Sequence, residues 1–330
     1  MRRREFIMLV GSAIAAWPLT AFGKAQRIAM VSGFFPVTEM SGTSGEPALQ
    51  ALFKQLRRLG YVEGQNLLIE RYSGEGRAEH YPDLAHEVVR SNPDVIFCIG
   101  NELTLDFKAA TATIPIVGSF GSPVETGIVA SLARPGGNIT GVSVDAALDE
   151  WYKRVQLVQQ VVPQATRFGS LESRRVREEW GALERELDLR MGVTHVGPPF
   201  EHPISEVEYR RVFAALVEDR ADALLVNPEP ENLTNVKLIV ELAEKHRLPA
   251  IYTLKRFVEA GGLMSFGIDL VAMGQSIAEI IDEVLKGAKP SEIPIRLPTK
   301  FELAINLKTA KALGLTVPAT LLVAADEVIE

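Results

Sequence analysis

A single cysteine among 330 residues excludes any intrachain disulfide, so the folded state has to rest on an apolar core, which a chain of this length can bury without staples. That cysteine, Cys98, sits in the apolar run Val95–Ile99 and reads as a core residue rather than a reactive thiol. Histidine is sparse too. His80, His86, His195, His202 and His246 are scattered, the closest pair stands six apart and so does not share a helix face, and neither a metal site nor a cofactor is expected. Basic residues are outnumbered by acidic ones, 35 against 42, and the net charge of −7 disfavours nucleic acid and anionic membranes as partners. Catalytic signatures are missing as well. Gly169-Ser170-Leu171-Glu172-Ser173 does not make a Gly-x-Ser-x-Gly elbow, and there is no Walker loop and no Gly-x-Gly-x-x-Gly turn. What remains of an enzymatic alternative is paired carboxylates such as Glu102 and Asp269 on an α/β scaffold.

The apolar run Met8–Leu19 has twelve residues, short of the roughly 20 that span a bilayer, and it follows Arg2, Arg3 and Arg4. This order reads as an export signal. An arginine pair ahead of Phe6 and Ile7 resembles the twin-arginine pattern, although the Sec route fits as well. Gly23 and Ala25, or else Ala21 and Gly23, supply the small residues that cleavage needs. Taking residues 1–25 as the signal removes four basic residues and one acid, which moves the charge from −7 to −10. With no cysteine near the cleavage region, the expected product is periplasmic and not lipid-anchored.

Beyond the signal, short β-rich runs alternate with amphipathic stretches. Strands are predicted at Ile28–Val31, Leu67–Tyr72, Val95–Ile99 and Ile114–Val117, separated by helices that carry Leu49 to Leu59, Tyr81 to Val89 and Leu103 to Thr111. Pro135 to Asn138 break this pattern. Ile139–Val144 reads as a further strand, and a helix over Leu148–Val162 opens a second round, with strands at Arg167–Leu171, Val193–Val196, Ala223–Val226 and Ala250–Tyr252 and helices at Arg174–Met191, Ser205–Asp219 and Leu233–His246. The alternation predicts an α/β protein of two doubly wound parallel-sheet lobes. A helical stripe from Leu270 to Leu285 and a tail of one strand and two short helices over Leu303–Leu322 suggest a chain that crosses back between the lobes.

Several stretches resemble the ABC transporter substrate-binding family related to tryptophan- and tyrosine-binding proteins. They are LGYVEGQNLLIE (59–70), ATATIPIVGSF (110–120), GIVASLARPGGNITGVS (127–143) and LPTKFELAINLKTAKALGLTVPATLLVAADEVIE (297–330), together with the basic and apolar start of the chain. The resemblance implies the type I periplasmic-binding fold, with lobe one at 26–142 plus 268–300 and lobe two at 143–267 plus 301–330. It further implies a monomer without a cofactor that closes around a small solute, an amino acid and in particular an aromatic one, and delivers it to an ABC permease in the inner membrane. A ligand-sensing domain that feeds a receptor would share this fold. The chain departs from the family pattern at Ser122-Pro123-Val124, where many relatives carry Asp-Pro-Val, and at Phe266-Gly267, where a tyrosine often precedes the glycine.

In doubly wound sheets, ligands bind beyond the carboxyl ends of the strands. Those positions hold Phe34, Asn101, Glu102, Ser119, Phe120 and Ser122 in the first half, and Ser170, Asn227, Tyr252 and Asp269 in the second. A small zwitterion would suit them, with hydroxyls and amides for its carboxylate, Asp269 or Glu102 for its ammonium and aromatic faces for its side chain. Each has a plainer alternative: Phe34 and Phe120 as core plugs, Ser119 and Ser122 as helix caps, Asn227 as a turn residue, and Asp269 as the N-cap of the helix after it.

Overall fold

Strands buried on both faces read as unbroken apolar runs, and Val95–Ile99 and Ile116–Phe120 are of this kind, buried at every position. In the computed structural model, which describes residues 25–144, 147–201 and 203–330, they lie inside a five-stranded parallel sheet. Its strands are β1 (Gln26–Ser32), β2 (Leu67–Ser73), β3 (Val95–Ile99), β4 (Ile116–Phe120) and β5 (Ile139–Ser143), in the order β2-β1-β3-β4-β5. The helices α1 (Pro47–Arg58), α2 (Tyr81–Arg90) and α3 (Asn101–Ala110) connect them. Cys98 is fully buried on β3, and burial pushes its thiol up to about 12. The residues that carry the export signal, 1–24, lie outside the described residues, as does His202.

After β5 the chain enters α4 (Ala147–Val161) and builds a seven-stranded sheet, with strands β6 (Arg167–Leu171), β7 (Thr194–Val196), β8 (Ala223–Val226), β9 (Ala250–Tyr252), β10 (Met264–Ile268), β11 (Phe301–Asn306) and β12 (Glu327–Ile329). Their order is β12-β11-β10-β9-β8-β6-β7. The remaining helices are α5 (Arg174–Met191), α6 (Glu206–Glu218), α7 (Pro230–Thr234), α8 (Val236–Lys245), α9 (Lys255–Glu259), α10 (Leu270–Leu285), α11 (Leu307–Leu313) and α12 (Ala319–Ala324). Among the described residues no helix is long and apolar enough to cross a membrane.

The single helix expected over Leu233–His246 is instead the pair α7 and α8. Asn235 adopts φ −110° and ψ 28° between them, and its Nδ2 donates to the Glu231 carbonyl at 2.8 Å, a local bond that competes with the helical ladder. A fully parallel second sheet also needs correcting, because β10 and β11 pair antiparallel. The cause is the route of the chain. From the end of β10 it runs into α10, which packs on α1 and against β3, β4 and β5 of the first sheet, and it then returns to begin β11 at the end where β10 finished.

The α1–α10 contact joins Leu49, Leu52 and Leu56 to Ile277, Ile280, Ile281 and Val284 in one buried cluster. Each such side chain contributes about 1.5–3 kcal/mol. The helices approach so closely that a Cβ on Gly274 would come within 2.0 Å of the Ala48 carbonyl oxygen. The returning segment is fastened to the first sheet through Arg296. Its backbone exchanges hydrogen bonds with Gly141 and Ser143 at 2.9 Å, and its guanidinium reaches Glu279 at 2.7 Å and Glu283 at 2.6 Å. The chain therefore passes between the two sheets three times: after β5, after β10 and before β11.

Candidate ligand-binding cleft

The carboxyl ends of β1, β3 and β4 face those of β8, β9 and β10 across a cavity of ≈ 270 Å³. Its walls are mostly apolar. Leu49 and Leu52 of α1, Met273 and Ile277 of α10, and Phe34, Phe97 and Ile99 form the side of the first sheet. Gly100 and Asn101 bring the start of α3 to this cavity. Gly100, the N-cap, has φ 118°, a conformation that favours glycine, and no side chain caps the helix. First-turn amides of α3 are therefore available to an anionic group.

Four ionisable groups line the cavity, and they form two ion pairs. Glu150 and Arg154, one turn apart on α4, are 7% and 6% exposed and bonded to each other, and Arg154 Nε also donates to the Phe266 carbonyl at 2.9 Å. Glu46, the residue before α1, pairs with Arg256 of α9 and so joins the two halves of the cleft directly. These four charges sum to zero, which suits a neutral or zwitterionic occupant. Thr253 also lines the cavity, and its buried Oγ1 has no hydrogen-bond partner among the described residues.

Of the residues expected from the strand ends, Phe34, Asn101, Ser119 and Phe120 line this cavity. Asn101 uses its amide internally, since Nδ2 donates to the Gly121 carbonyl at 2.9 Å and Oδ1 accepts from the Gly121 amide at 2.8 Å, tying the ends of β3 and β4 together. The other expected residues lie elsewhere. Glu102 is exposed, one position too far round α3 to face the cleft. Ser122 takes φ 38° in a turn and caps no helix. Asp269 caps α10, its Oδ1 accepting from the Ala272 amide at 2.8 Å, and borders a smaller cavity of ≈ 130 Å³ at the crossings. Tyr252 lines a different cavity altogether. The carboxylates that line the cavity are thus Glu46 and Glu150, and not Glu102 or Asp269. Neither was legible as a site residue, because one precedes a helix and the other lies within one, away from any strand end.

Ser170 is buried on β6 and its Oγ has no hydrogen-bond partner among the described residues, while Asn227 belongs to a polar cluster around the buried Glu172 just past that strand. Asn227 Nδ2 donates to Glu172 at 3.1 Å, and Arg177 Nε donates to the same carboxylate at 2.6 Å. Burial raises the Glu172 pKa against the opposing pull of Arg177. His195 stands beside this pair, its Nε2 3.9 Å from Glu172, and neither ring nitrogen has a hydrogen-bond partner among the described residues. Burial first, and Arg177 second, depress its pKa from 6.5 to about 4. The folded state therefore binds fewer protons than the unfolded state between those values, and the contribution of His195 to stability, complete above pH 6.5, is lost as pH falls toward 4. Asp188, which accepts from the His195 backbone amide, has the opposite sign: burial lifts it from 3.8 to about 6, so its contribution is present below 3.8 and lost as pH rises through 6. In denaturant titrations at pH 7 and pH 5, His195→Phe should lose less stability on acidification than the unmodified protein. Equal losses would show that the imidazole is solvated.

Residues 38–329 match the family model described as ABC transporter substrate binding protein. A tyrosine-binding protein of Clostridioides difficile (strain R20291) is 26% identical over 278 residues, which cover 82% of this chain and 77% of that protein. Among solved structures, a conserved domain protein of Vibrio cholerae aligns with a TM-score of 0.80 at 23% identity, over 92% of this chain and all of the other. An ABC domain from Streptococcus pneumonia in complex with L-Trp aligns with a TM-score of 0.78 at 24% identity, over 93% of this chain and all of the other.

Proposed function

The chain belongs to the ABC transporter substrate-binding protein family, one of solute-binding proteins rather than enzymes, and from that premise we propose that it is the periplasmic capture component of an importer. In this reading an amino acid with an aromatic side chain enters between the two α/β units, 26–142 plus 268–300 and 143–267 plus 301–330. These close as a monomer by pivoting at the three crossings, and the loaded protein docks on an inner-membrane permease. The observation that carries the ligand class is the cavity itself, apolar in its walls and balanced in its charges. Its volume of ≈ 270 Å³ suits a single small molecule. An α-carboxylate would accept from the first-turn amides of α3, an ammonium would lie near Glu150 or Glu46, and a ring would pack among Phe34, Leu52 and Met273. The relatives that bind tyrosine and L-Trp favour the same ligand class.

A thermal-shift panel on residues 26–330, followed by calorimetry, tests this reading against the amino acids, small carboxylates, sugars and nucleosides. An aromatic amino acid should raise the melting temperature, because ligand at 1,000 times its Kd adds about 4 kcal/mol to stability. Silence from every amino acid, or a response confined to sugars or nucleosides, would sink the assignment.

The Glu46–Arg256 pair gives a second expectation. Both side chains are partly accessible, so the bridge itself contributes about 0–1 kcal/mol, but only while the two halves are close. Arg256→Gln should leave the melting temperature of the unliganded protein nearly unchanged and weaken ligand binding up to roughly fivefold, chiefly through faster dissociation. Stopped-flow release rates check this, and unchanged rates would remove the pair from the closing step.

A further inference from the structure

The seven-stranded sheet carries a second cavity, ≈ 410 Å³ in volume, between α8, the turn before β10, and α11. It shares no lining residue with the cleft. Tyr252, expected at the cleft, lines this one instead, while the next residue, Thr253, lines the cleft. The Tyr252 ring is held in place on two sides: it stacks on Phe257 with centroids 4.6 Å apart, and it lies so close to Gly262 that a Cβ there would come within 2.4 Å of Cε2. The residue is 1% exposed, and its hydroxyl has no hydrogen-bond partner among the described residues. At the wall of the cavity this phenol is free to donate to an occupant.

The mouth of this cavity has the complementary charge. Arg247 and Lys308 both line it and are exposed, and neither makes an ion pair among the described residues. Glu244, a single acid, lies with them, leaving a net charge of +1. Val240, Leu248 and Leu313 supply apolar wall. A fixed phenol donor, two cations and apolar sides match an oxyanion on an apolar body. We propose that this cavity is a second ligand site, separate from the cleft, for a small organic monocarboxylate.

Benzoate is a suitable probe and benzamide its neutral counterpart, titrated into residues 26–330 by calorimetry or by ligand-observed NMR. The unmodified protein should bind benzoate at millimolar concentration and benzamide roughly tenfold more weakly, the size of effect expected for losing charge-assisted hydrogen bonds. The double variant R247Q/K308Q changes only exposed side chains and should keep its melting temperature while losing benzoate affinity by a similar factor. Tyr252→Phe should lose part of it. Equal binding of benzamide overturns the proposal. So does benzoate binding that survives the double variant, which would place the anion in the cleft, and so does the absence of benzoate binding.

Discussion

Arg154→Ala is expected to destabilise the protein by about 3–5 kcal/mol, the penalty for leaving a buried carboxylate without its partner. Arg154 and Glu150 are almost fully enclosed, and the guanidinium also holds the Phe266 carbonyl at 2.9 Å, so truncation strands two acceptors at once. Removing both charges is a different experiment. The double replacement Glu150→Leu with Arg154→Met keeps the volume and removes the desolvation cost of both ions, and such exchanges are often neutral or stabilising. It should recover most of the lost stability and nevertheless fail to bind the cleft ligand if the pair reads a zwitterion. Urea denaturation followed by circular dichroism measures the first effect and calorimetry the second. A loss below about 1 kcal/mol in Arg154→Ala would show that water reaches the pair.

Gly267→Ala should cost about 3 kcal/mol and weaken ligand binding as well. An added Cβ would sit 1.9 Å from the Thr253 carbonyl oxygen, and a backbone atom cannot rotate out of the way as a side chain can. β9 and β10 pair through Ile251 and Tyr252, so the strain falls just past the last paired residue, where both chains enter the cleft. Thr253 would move, and with it one wall of the cavity. Thr253→Val separates the two consequences. It leaves the backbone in place and removes a buried hydroxyl without a partner among the described residues, so stability should hold or rise while any hydrogen bond from Oγ1 to the ligand is lost. If Gly267→Ala changed neither the denaturation midpoint nor the affinity, the loop after β9 would have to be able to yield.

The alternation of strand and helix was legible because each element carries its own period, and β6, β8, β9 and α5 fall at the residues expected from it. β10 and β12 were not. Met264–Ile268 contains Ser265 and Gly267, which weaken the strand pattern, and Glu327–Ile329 is only three residues long. The cleft was legible only in part, for a related reason. Strand ends can be found along the chain, which brought out Phe34, Asn101, Ser119 and Phe120, but the other half of the lining comes from faces of α1, α4, α9 and α10, whose residues read as ordinary helix positions. Glu150 and Arg154 stand four apart beside the apolar stripe of Trp151, Val155 and Val158, and charges so close to a buried face were the one available signal.

The sequence by itself determined the class of fold, the resemblance to a family and the buried fate of Cys98, because these depend on local periodicity, composition and word-like motifs. Only the tertiary structure decided which residues meet. It placed Glu46 against Arg256 across 210 positions, sent Asp269 to cap a helix, and gave consecutive residues Tyr252 and Thr253 to different cavities. The physical reason is that a periodic pattern specifies which face of an element is buried, whereas a binding site is made where faces of distant elements converge. That convergence depends on the three crossings of the chain, which no local pattern encodes.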